Sequence, residues 1–176
     1  RIRETGIKTI LTGCPHTFRA LFEQFREMGA GLDDGIRVIH TSQFIVEMMD
    51  AGKLTFQKKA AEGTYGYHDP CQIGRKSGIY DAPRRIIEVV TGSPPVELFH
   101  SREAAECCGA GAGMHLTYPD ISVKVAANRL SGTVEEGITH LVTACQNCKT
   151  LFEKAAARMD IGITILDLAE LAASAF

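Results

Sequence analysis

The sequence lacks the features that mark nucleic-acid-binding, membrane-spanning and nucleotide-binding proteins. Its 19 basic and 21 acidic residues nearly balance, and no block of like charge stands out, which excludes a nucleic-acid surface and a polybasic membrane patch. Charged residues interrupt the apolar stretches well before the roughly 18 to 20 residues that a spanning helix needs, so we expect no transmembrane segment. A phosphate-binding loop with Lys-Ser/Thr is absent, and the glycine run at 109–113 lacks the G-x-G-x-x-G spacing of a dinucleotide site.

Cysteine is the residue type whose arrangement stands out. Six are present, and five of them follow one order along the chain: Cys71, the adjacent pair Cys107 and Cys108, and the C-x-x-C of Cys145 and Cys148. The intervals are 35 residues (72–106) and 36 residues (109–144). A helix–sheet domain has no packing reason for such an order, whereas thiolates are ligands for iron–sulfur clusters, zinc or copper(I). The pattern indicates one metal centre that is built from three segments of the chain.

Three disulfide bonds of a secreted protein are the alternative for six cysteines. Adjacent cysteines, and a C-x-x-C between a predicted strand and a predicted helix, instead favour metal or redox chemistry in a reducing compartment. We therefore expect a cytoplasmic protein. A thiol–disulfide switch at Cys107 and Cys108, without any metal, is a further hypothesis for the adjacent pair.

Strands and helices alternate along the chain, which predicts an α/β fold with a mainly parallel sheet and flanking helices. Cys71 and Cys145 each follow a predicted strand. Because ligands of such sheets collect at the carboxyl ends of the strands, both cysteines should lie on that edge. Cys145 and Cys148 should also lie at the start of a helix, where free N–H groups and the helix dipole favour the thiolate.

Two stretches of the chain can be laid over each other. Residues 9–14 (T-I-L-T-G-C) match residues 140–145 (H-L-V-T-A-C), and a helical run follows each of them. Downstream, residues 36–42 and 161–167 both have the pattern of a strand that leads into a helix. This similarity predicts two related α/β units.

The repeat divides the chain into a partial unit and a complete one. Residues 1–55 would be the back half of a first unit, 52–63 forms a polar connector, and 64–176 would be a complete second unit. In each unit the last strand is predicted to end in a helix N-cap residue, Ser42 in the first and Asp167 in the second.

The number and spacing of the thiols favour an iron–sulfur cluster over zinc. A tetrahedral zinc site takes four ligands, usually from two C-x-x-C-like knuckles. Here one knuckle, an adjacent pair and a fifth thiol are present. Two adjacent residues bind one small ion awkwardly, but they can reach different irons of a cluster. A zinc-stabilised interaction domain without redox activity remains the alternative.

The residues around these cysteines resemble a known family. The chain reads Y-H-D-P-C at 67–71, G-R at 74–75, G-I-Y-D-A-P-R at 78–84, C-C-G at 107–109 and T-A-C-x-x-C at 143–148. This pattern resembles the CCG (cysteine-rich) domain family, which includes the B subunit of heterodisulfide reductase and related iron–sulfur oxidoreductase subunits. The resemblance covers about residues 64 to 152, and the preceding half-repeat more loosely.

The resemblance implies a cofactor, an activity and partners. It implies two such domains, face to face, in full-length members, and a noncubane [4Fe–4S] cluster held by Cys71, Cys107, Cys108, Cys145 and Cys148. The chain would then be an iron–sulfur subunit of an oxidoreductase complex in anaerobic metabolism, which relays electrons, with thiol or disulfide reduction as a further step. Its partners would be other iron–sulfur or flavin-containing subunits, through which it would associate peripherally with a membrane. No catalytic residue is assigned.

The first unit departs from the family pattern. It has Cys14-Pro15-His16-Thr17 where a cluster-binding copy has C-x-x-C. We therefore expect no equivalent cluster in the first unit, and single-cluster electron transfer rather than two-cluster disulfide cleavage. Cys14 is then a vestigial ligand, a lone thiol or a buried small residue.

Four further residues are candidates for contacts around the centre. His68 and Asp69, just before Cys71, either orient the loop or carry protons at the cluster; alternatively they simply end a strand and start a turn. Gly109 completes the C-C-G motif. Arg84 either offsets the negative charge of a thiolate-ligated cluster or is a solvated surface arginine.

Overall fold

The computed structural model describes residues 5–29, 32, 35–57 and 60–176 of the chain. In these residues the strands are β1 (Thr9–Thr12), β2 (Arg37–His40), β3 (Tyr65–His68), β4 (Val96–Glu97), β5 (His140–Thr143) and β6 (Thr164–Asp167). The helices are α1 (Pro15–Arg19), α2 (Phe25–Glu27), α3 (Thr41–Asp50), α4 (Asp81–Thr91), α5 (Met114–Thr117), α6 (Pro119–Glu135), α7 (Gln146–Met159) and α8 (Leu168–Ala173). A π-helical segment, Ala20–Gln24, joins α1 to α2. Parallel sheets with flanking helices confirm the predicted α/β fold.

The larger sheet has four parallel strands in the order β4-β3-β5-β6. Tyr65 of β3 lies opposite His140 of β5, and His68 lies opposite Thr143. Thr143 is in turn opposite Asp167 of β6. Since the strands are parallel, the carboxyl ends of β3, β5 and β6 share one edge, which we call the rim.

Side chains on the two faces of this sheet form two apolar clusters. Alternate residues of a strand point to opposite faces, so that Val142 of β5 belongs to one cluster and Leu141 to the other. The first cluster includes Ile86 and Ile87 of α4 and Leu171 of α8. The second cluster joins α6 and α7 and includes Leu130, Phe152, Cys108, Cys145 and Cys148. Three of the predicted ligands therefore belong to the hydrophobic core.

The smaller sheet consists of β1 and β2, which are parallel with Thr12 opposite His40. Phe18 of α1 and Val38 of β2 join the apolar cluster that α4 and α8 line. An ion pair between Asp50 and Arg85 links α3 to α4. We use the names first unit and second unit for the parts of the chain that carry the smaller and the larger sheet.

The two units have the same local structure where their last strand meets a helix. Asp167 is the N-cap of α8 and forms a capping box with Glu170, as the sequence predicts. At the matching place the N-cap of α3 is His40, which forms a capping box with Gln43. The predicted cap, Ser42, is wrong, because Ser42 lies inside α3 and its N–H and hydroxyl contact His40 Nδ1 at 3.2 and 2.9 Å. In the first unit, the imidazole nitrogen of His40 accepts the capping hydrogen bond that a carboxylate oxygen of Asp167 accepts in the second unit.

The division at residues 1–55 and 64–176 stays a prediction, which the two separate sheets support. Residues 58 and 59 of the predicted connector lie outside the described residues. None of the described helices combines the length and the apolar character that a membrane crossing requires.

Candidate metal centre

One pocket at the rim of the larger sheet brings together all five cysteines of the motif, namely Cys71, Cys107, Cys108, Cys145 and Cys148. The three chain segments that carry them are far apart in sequence, but two of these segments follow the adjacent strands β3 and β5. The six cysteines, all of them among the described residues, are free thiols. Their role as metal ligands stays a prediction, whereas the structure supplies the proximity that this role requires.

Cys71 lies in a tight turn that follows β3. The turn is closed by the N–H of Gly74, which donates to the carbonyl of Pro70 at 2.9 Å. A Cβ at Gly74 would lie 3.2 Å from that carbonyl oxygen, so a larger residue would press on the turn. Burial raises the pKa of the Cys71 thiol, and neighbouring thiolates raise it further.

Gly109 fixes the path of the chain at the adjacent cysteine pair. Its φ of 88° lies in the left-handed region, and a Cβ there would lie 2.6 Å from the carbonyl oxygen of Ser122 in α6. The Ser122 hydroxyl donates to the Gly109 carbonyl at 2.8 Å, and the Gly109 N–H donates to Cys107 Sγ at 3.3 Å. The loop is thereby held against α6, with Cys108 buried and Cys107 exposed.

Helix α7 begins at the C-x-x-C segment. Cys145 is the N-cap of α7, and Cys148 lies in its first turn with 4% of its surface exposed. The Cys148 thiol lowers the pKa of Cys145, and the N–H groups of Cys148 and Asn147 contribute to the same effect. The start of the helix therefore favours a thiolate at Cys145, as the sequence predicts.

The inner thiols share protons with one another. Cys148 Sγ donates to Cys108 Sγ at 3.0 Å. Hydrogen bonds from Cys107 and Cys148 lower the pKa of Cys108, and the pKa values of Cys107 and Cys148 are raised because each of them donates to the Cys108 sulfur. The Cys108 sulfur thus accepts hydrogen bonds from two neighbouring thiols. A soft metal centre would replace these shared protons with metal–sulfur bonds.

His68 brings an imidazole into the same buried space. One of its ring nitrogens and the sulfurs of Cys108 and Cys148 lie within 4.8 Å of one another. The ring is 1% exposed and packs edge-on against Phe152, with the ring centroids 4.8 Å apart. Its Nδ1 and the hydroxyl of Thr143, its neighbour in the sheet, are buried without a partner among the described residues.

Such unpartnered polar atoms are informative about the pocket. A buried donor or acceptor without a partner costs roughly 1–3 kcal/mol, and native proteins usually satisfy these groups with water or a ligand. The unpartnered Nδ1 belongs to a ring of which one nitrogen lies within 4.8 Å of two of the sulfurs. This ring, together with five converging thiols, fits a pocket that holds a metal or a metal cluster. This signal is not visible in the sequence, where His68 merely precedes the turn.

Arg84 binds two carboxylates. Its guanidinium donates to both oxygens of Asp69 at 2.7 and 2.8 Å and to both oxygens of Glu97 at 2.5 and 2.7 Å. It is 8% exposed, and it lies over the ring of Tyr67 with its central carbon 5.1 Å from the centroid. Arg84 is therefore not a solvated surface arginine, and the two negative charges of its carboxylate partners exceed its single positive charge.

Asp69 and Arg75 tie the Cys71 turn to the segment that leads to Cys107. Asp69 Oδ2 accepts the N–H of Arg102 at 2.8 Å, in addition to its bonds with Arg84. Arg75 Nε donates to the carbonyl of Glu103 at 2.9 Å, and the same guanidinium contacts the carbonyl of Ala105. These contacts position two of the three cysteine-bearing segments relative to each other.

The first unit contributes to the pocket wall without contributing a thiol. Pro15 and His16, at the start of α1, line the pocket, and Gln72 and Asn147 lie beside them. Cys14 is the N-cap of α1 and is not among the described residues that line it. Gln72 was missed by the sequence analysis, and its place next to Cys71 was the only signal for it.

A family model described as the CCG cysteine-rich domain matches residues 65–153 of the chain. Among curated proteins, the chain is 32% identical to the D subunit of the dihydromethanophenazine:CoB–CoM heterodisulfide reductase from Methanosarcina barkeri, over 99% of the chain and 42% of that relative. It is 28% identical to the EtfAB:quinone oxidoreductase of Syntrophomonas wolfei, over 94% of the chain and 24% of that relative. It is 25% identical to the B subunit of the fumarate reductase (CoM/CoB) from Methanothermobacter marburgensis, over 96% of the chain and 33% of that relative.

These relatives are oxidoreductases or subunits of them, which supports a redox role for the cysteine pocket. The chain spans less than half the length of each of these relatives. The C-C-G at 107–109 and the cysteines on either side of it lie within the matched residues. The chain therefore belongs to the CCG cysteine-rich domain family.

Proposed function

We propose that this chain is the cluster-binding part of an iron–sulfur subunit in an oxidoreductase complex. In this proposal the pocket holds one noncubane [4Fe–4S] cluster through Cys71, Cys107, Cys108, Cys145 and Cys148. The observation that carries the proposal is that these five thiols, from three distant segments, line one pocket. When bound, the cluster supplies reversible one-electron transfer, with thiol or disulfide chemistry at an open iron site.

The donor set favours a cluster over a single ion. Cys107 and Cys108 are adjacent, but one is exposed and the other is buried, so their sulfurs suit different irons better than one ion. A fifth thiol exceeds the four ligands of a tetrahedral site. Five thiolates and their negative charge need a multivalent positive centre, which an array of irons provides.

The surrounding residues tune such a centre. The Gly109 N–H donates to Cys107 Sγ, and the N–H groups at the start of α7 act on Cys145. Donors to sulfur withdraw electron density from the ligand and stabilise the reduced state, whereas burial of Cys108 and Cys148 disfavours additional negative charge. The potential is set by the balance of these two effects.

We further propose that the chain carries one cluster and relays electrons. Thr17 stands where the first unit would need its second C-x-x-C cysteine, so two-cluster disulfide cleavage has no support from this part of the chain. The electron partners would be iron–sulfur or flavin-containing subunits, and membrane association would be peripheral and would occur through them. Free thiols at all six cysteines suit a reducing, cytoplasmic location.

Structural zinc is a second candidate that one observation favours. A ring nitrogen of His68 and the sulfurs of Cys108 and Cys148 form a group of the size that one ion requires. With Cys145 as a fourth ligand this group would make a Cys3His site, which is a common structural zinc set. Cys71 and Cys107 would then remain free thiols.

A redox titration separates the two candidates. Protein purified without oxygen is reduced and reoxidised in steps, and each step is examined by electron paramagnetic resonance and visible absorption. The proposal predicts a reversible iron–sulfur signal in the wild type and its loss in Cys107→Ser, since only the cluster requires that exposed thiol. A wild type without a signal at any potential, or a signal that Cys107→Ser leaves intact, would contradict the five-ligand cluster.

A further inference from the structure

Helix α1 of the first unit contacts the turn that carries Cys71. Arg19 Nη1 donates to Gln72 Oε1 at 3.1 Å, and Arg19 Nε pairs with Glu23 at 3.1 Å within the first unit. The hydroxyl of Ser77, at the far end of the same turn, is 3.1 Å from Glu23 Oε1 and 2.9 Å from the carbonyl of Gln72. The contact between α1 and this turn is therefore polar.

The side-chain amide of Gln72 connects this contact to the cysteine pocket. Its Nε2 donates to Cys71 Sγ at 3.9 Å, while its Oε1 accepts from Arg19. The reverse orientation of the amide would place NH2 against a guanidinium, which is repulsive. Once Cys71 is a metal-bound thiolate, the reverse orientation would also place a carbonyl oxygen against a negatively charged sulfur. Arg19 and the Cys71 sulfur therefore select the same orientation of the amide.

Burial makes this link effective. The side chains of Arg19 and Glu23 are 24% and 25% exposed, and Gln72 lines the cysteine pocket. Solvent screens contacts of this kind less than fully exposed pairs. Among the contacts of Arg19, its hydrogen bond to the amide of Gln72 is the one that leads to a residue of the cysteine pocket.

We propose that Arg19 and Gln72 are positioning residues through which the first unit tunes the Cys71 ligand. This inference rests on the proposed function, because it concerns a cluster bound to Cys71. The first unit has Thr17 in place of the second cysteine of a C-x-x-C, yet its α1 orients an N–H donor toward a ligand of the second unit. A donor to a ligand sulfur stabilises the reduced cluster and raises its reduction potential.

The test compares reduction potentials of variants of the full chain purified without oxygen. Arg19→Gln frees the Gln72 amide to rotate, and Gln72→Leu removes the donor. Arg37→Gln is the matched control, because it removes one positive charge from the first unit at an exposed ion pair with Glu47 and Arg37 is not among the described residues that line the cysteine pocket. We expect a more negative potential in the first two variants, the wild-type potential in Arg37→Gln, and recovery toward the wild-type potential in Arg19→Lys.

Each outcome decides the inference. Equal potentials in Arg19→Gln and Arg37→Gln, at unchanged iron content, would overturn it while leaving the proposed function in place. If the wild type contains no iron, the proposed function fails separately, and hydrogen–deuterium exchange of residues 70–78 then tests the contact itself. Faster exchange of this turn in Arg19→Gln would support the link between α1 and the turn, and equal exchange in both proteins would overturn it.

Discussion

Two adjacent arginines of α4 allow a matched test of what holds the cysteine-bearing loops together. Arg84 forms bidentate bonds with Asp69, and Arg85 forms bidentate bonds with Asp50. The Arg84 and Asp69 side chains are 9% and 2% exposed, whereas those of Arg85 and Asp50 are 48% and 53% exposed. The same substitution at neighbouring positions of one helix therefore probes a buried pair against a solvated one.

The expected loss in the free energy of unfolding depends on the charge that the substitution leaves without a partner. Arg84→Met leaves Asp69 buried without its cation and takes a partner from Glu97, and breaking such a buried pair costs about 3–5 kcal/mol. For a domain of this size that corresponds to a fall in melting temperature of roughly 10 °C. Arg85→Met leaves Asp50 in water, so we expect a small change in the free energy of unfolding.

Urea unfolding followed by circular dichroism, on the as-isolated protein without oxygen, measures both variants against the wild type. Asp69→Asn serves as a second variant if Arg84→Met does not fold. Because Asp69 also holds the N–H of Arg102, we expect the Arg84 variant to lose metal more readily than the Arg85 variant. Equal losses of stability and equal metal contents in the two arginine variants would refute the reasoning.

Three further predictions concern single positions. Cys145→Ser should abolish or convert the iron–sulfur signal in electron paramagnetic resonance, whereas Cys14→Ser should leave that signal unchanged. Full retention of the signal in Cys145→Ser would remove Cys145 from the ligand set. Gly109→Ala should cost about 1–3 kcal/mol and lower the iron content, because its Cβ would meet the Ser122 carbonyl. Gly132→Ala, in α6 and away from the cysteine pocket, has free space and should resemble wild type in iron content and thermal melting; identical behaviour of the two glycine variants would count against this account of the loop. Burial lowers the pKa of His40 to about 4, below its unfolded value of about 6.5. Between these two values the unfolded chain binds a proton that the native chain does not. The free energy of unfolding should therefore decrease by about 2 kcal/mol as the pH is lowered from 7 to 5. His40→Asn, which keeps a capping side chain, should flatten that dependence in urea titrations at the two pH values, and an unchanged slope would show that His40 is not its source.

The sequence was sufficient to predict those parts of the structure that depend on local patterns. The positions of Cys71 and Cys145 could be predicted because each follows an apolar strand, and parallel strands place their following loops on one edge. Asp167 could be predicted as a cap because a short acidic side chain before a helix satisfies its free N–H groups. The cap at His40 was missed because an imidazole seldom fills this role.

Contacts between distant residues could not be predicted. Arg84 meets Asp69 and Glu97 only once α4 lies against the sheet, and the sequence left its role open. Arg19 and Gln72 are 53 positions apart and meet because the first unit docks on the Cys71 turn. Nothing in the composition of either segment indicates that contact.

The content of iron, zinc and acid-labile sulfide per chain, in protein purified without oxygen, tests the central claim most directly. The proposed cluster in the pocket of five cysteines predicts about four irons with matching sulfide and little zinc. About one zinc per chain without sulfide would contradict it and would assign the pocket to a structural metal.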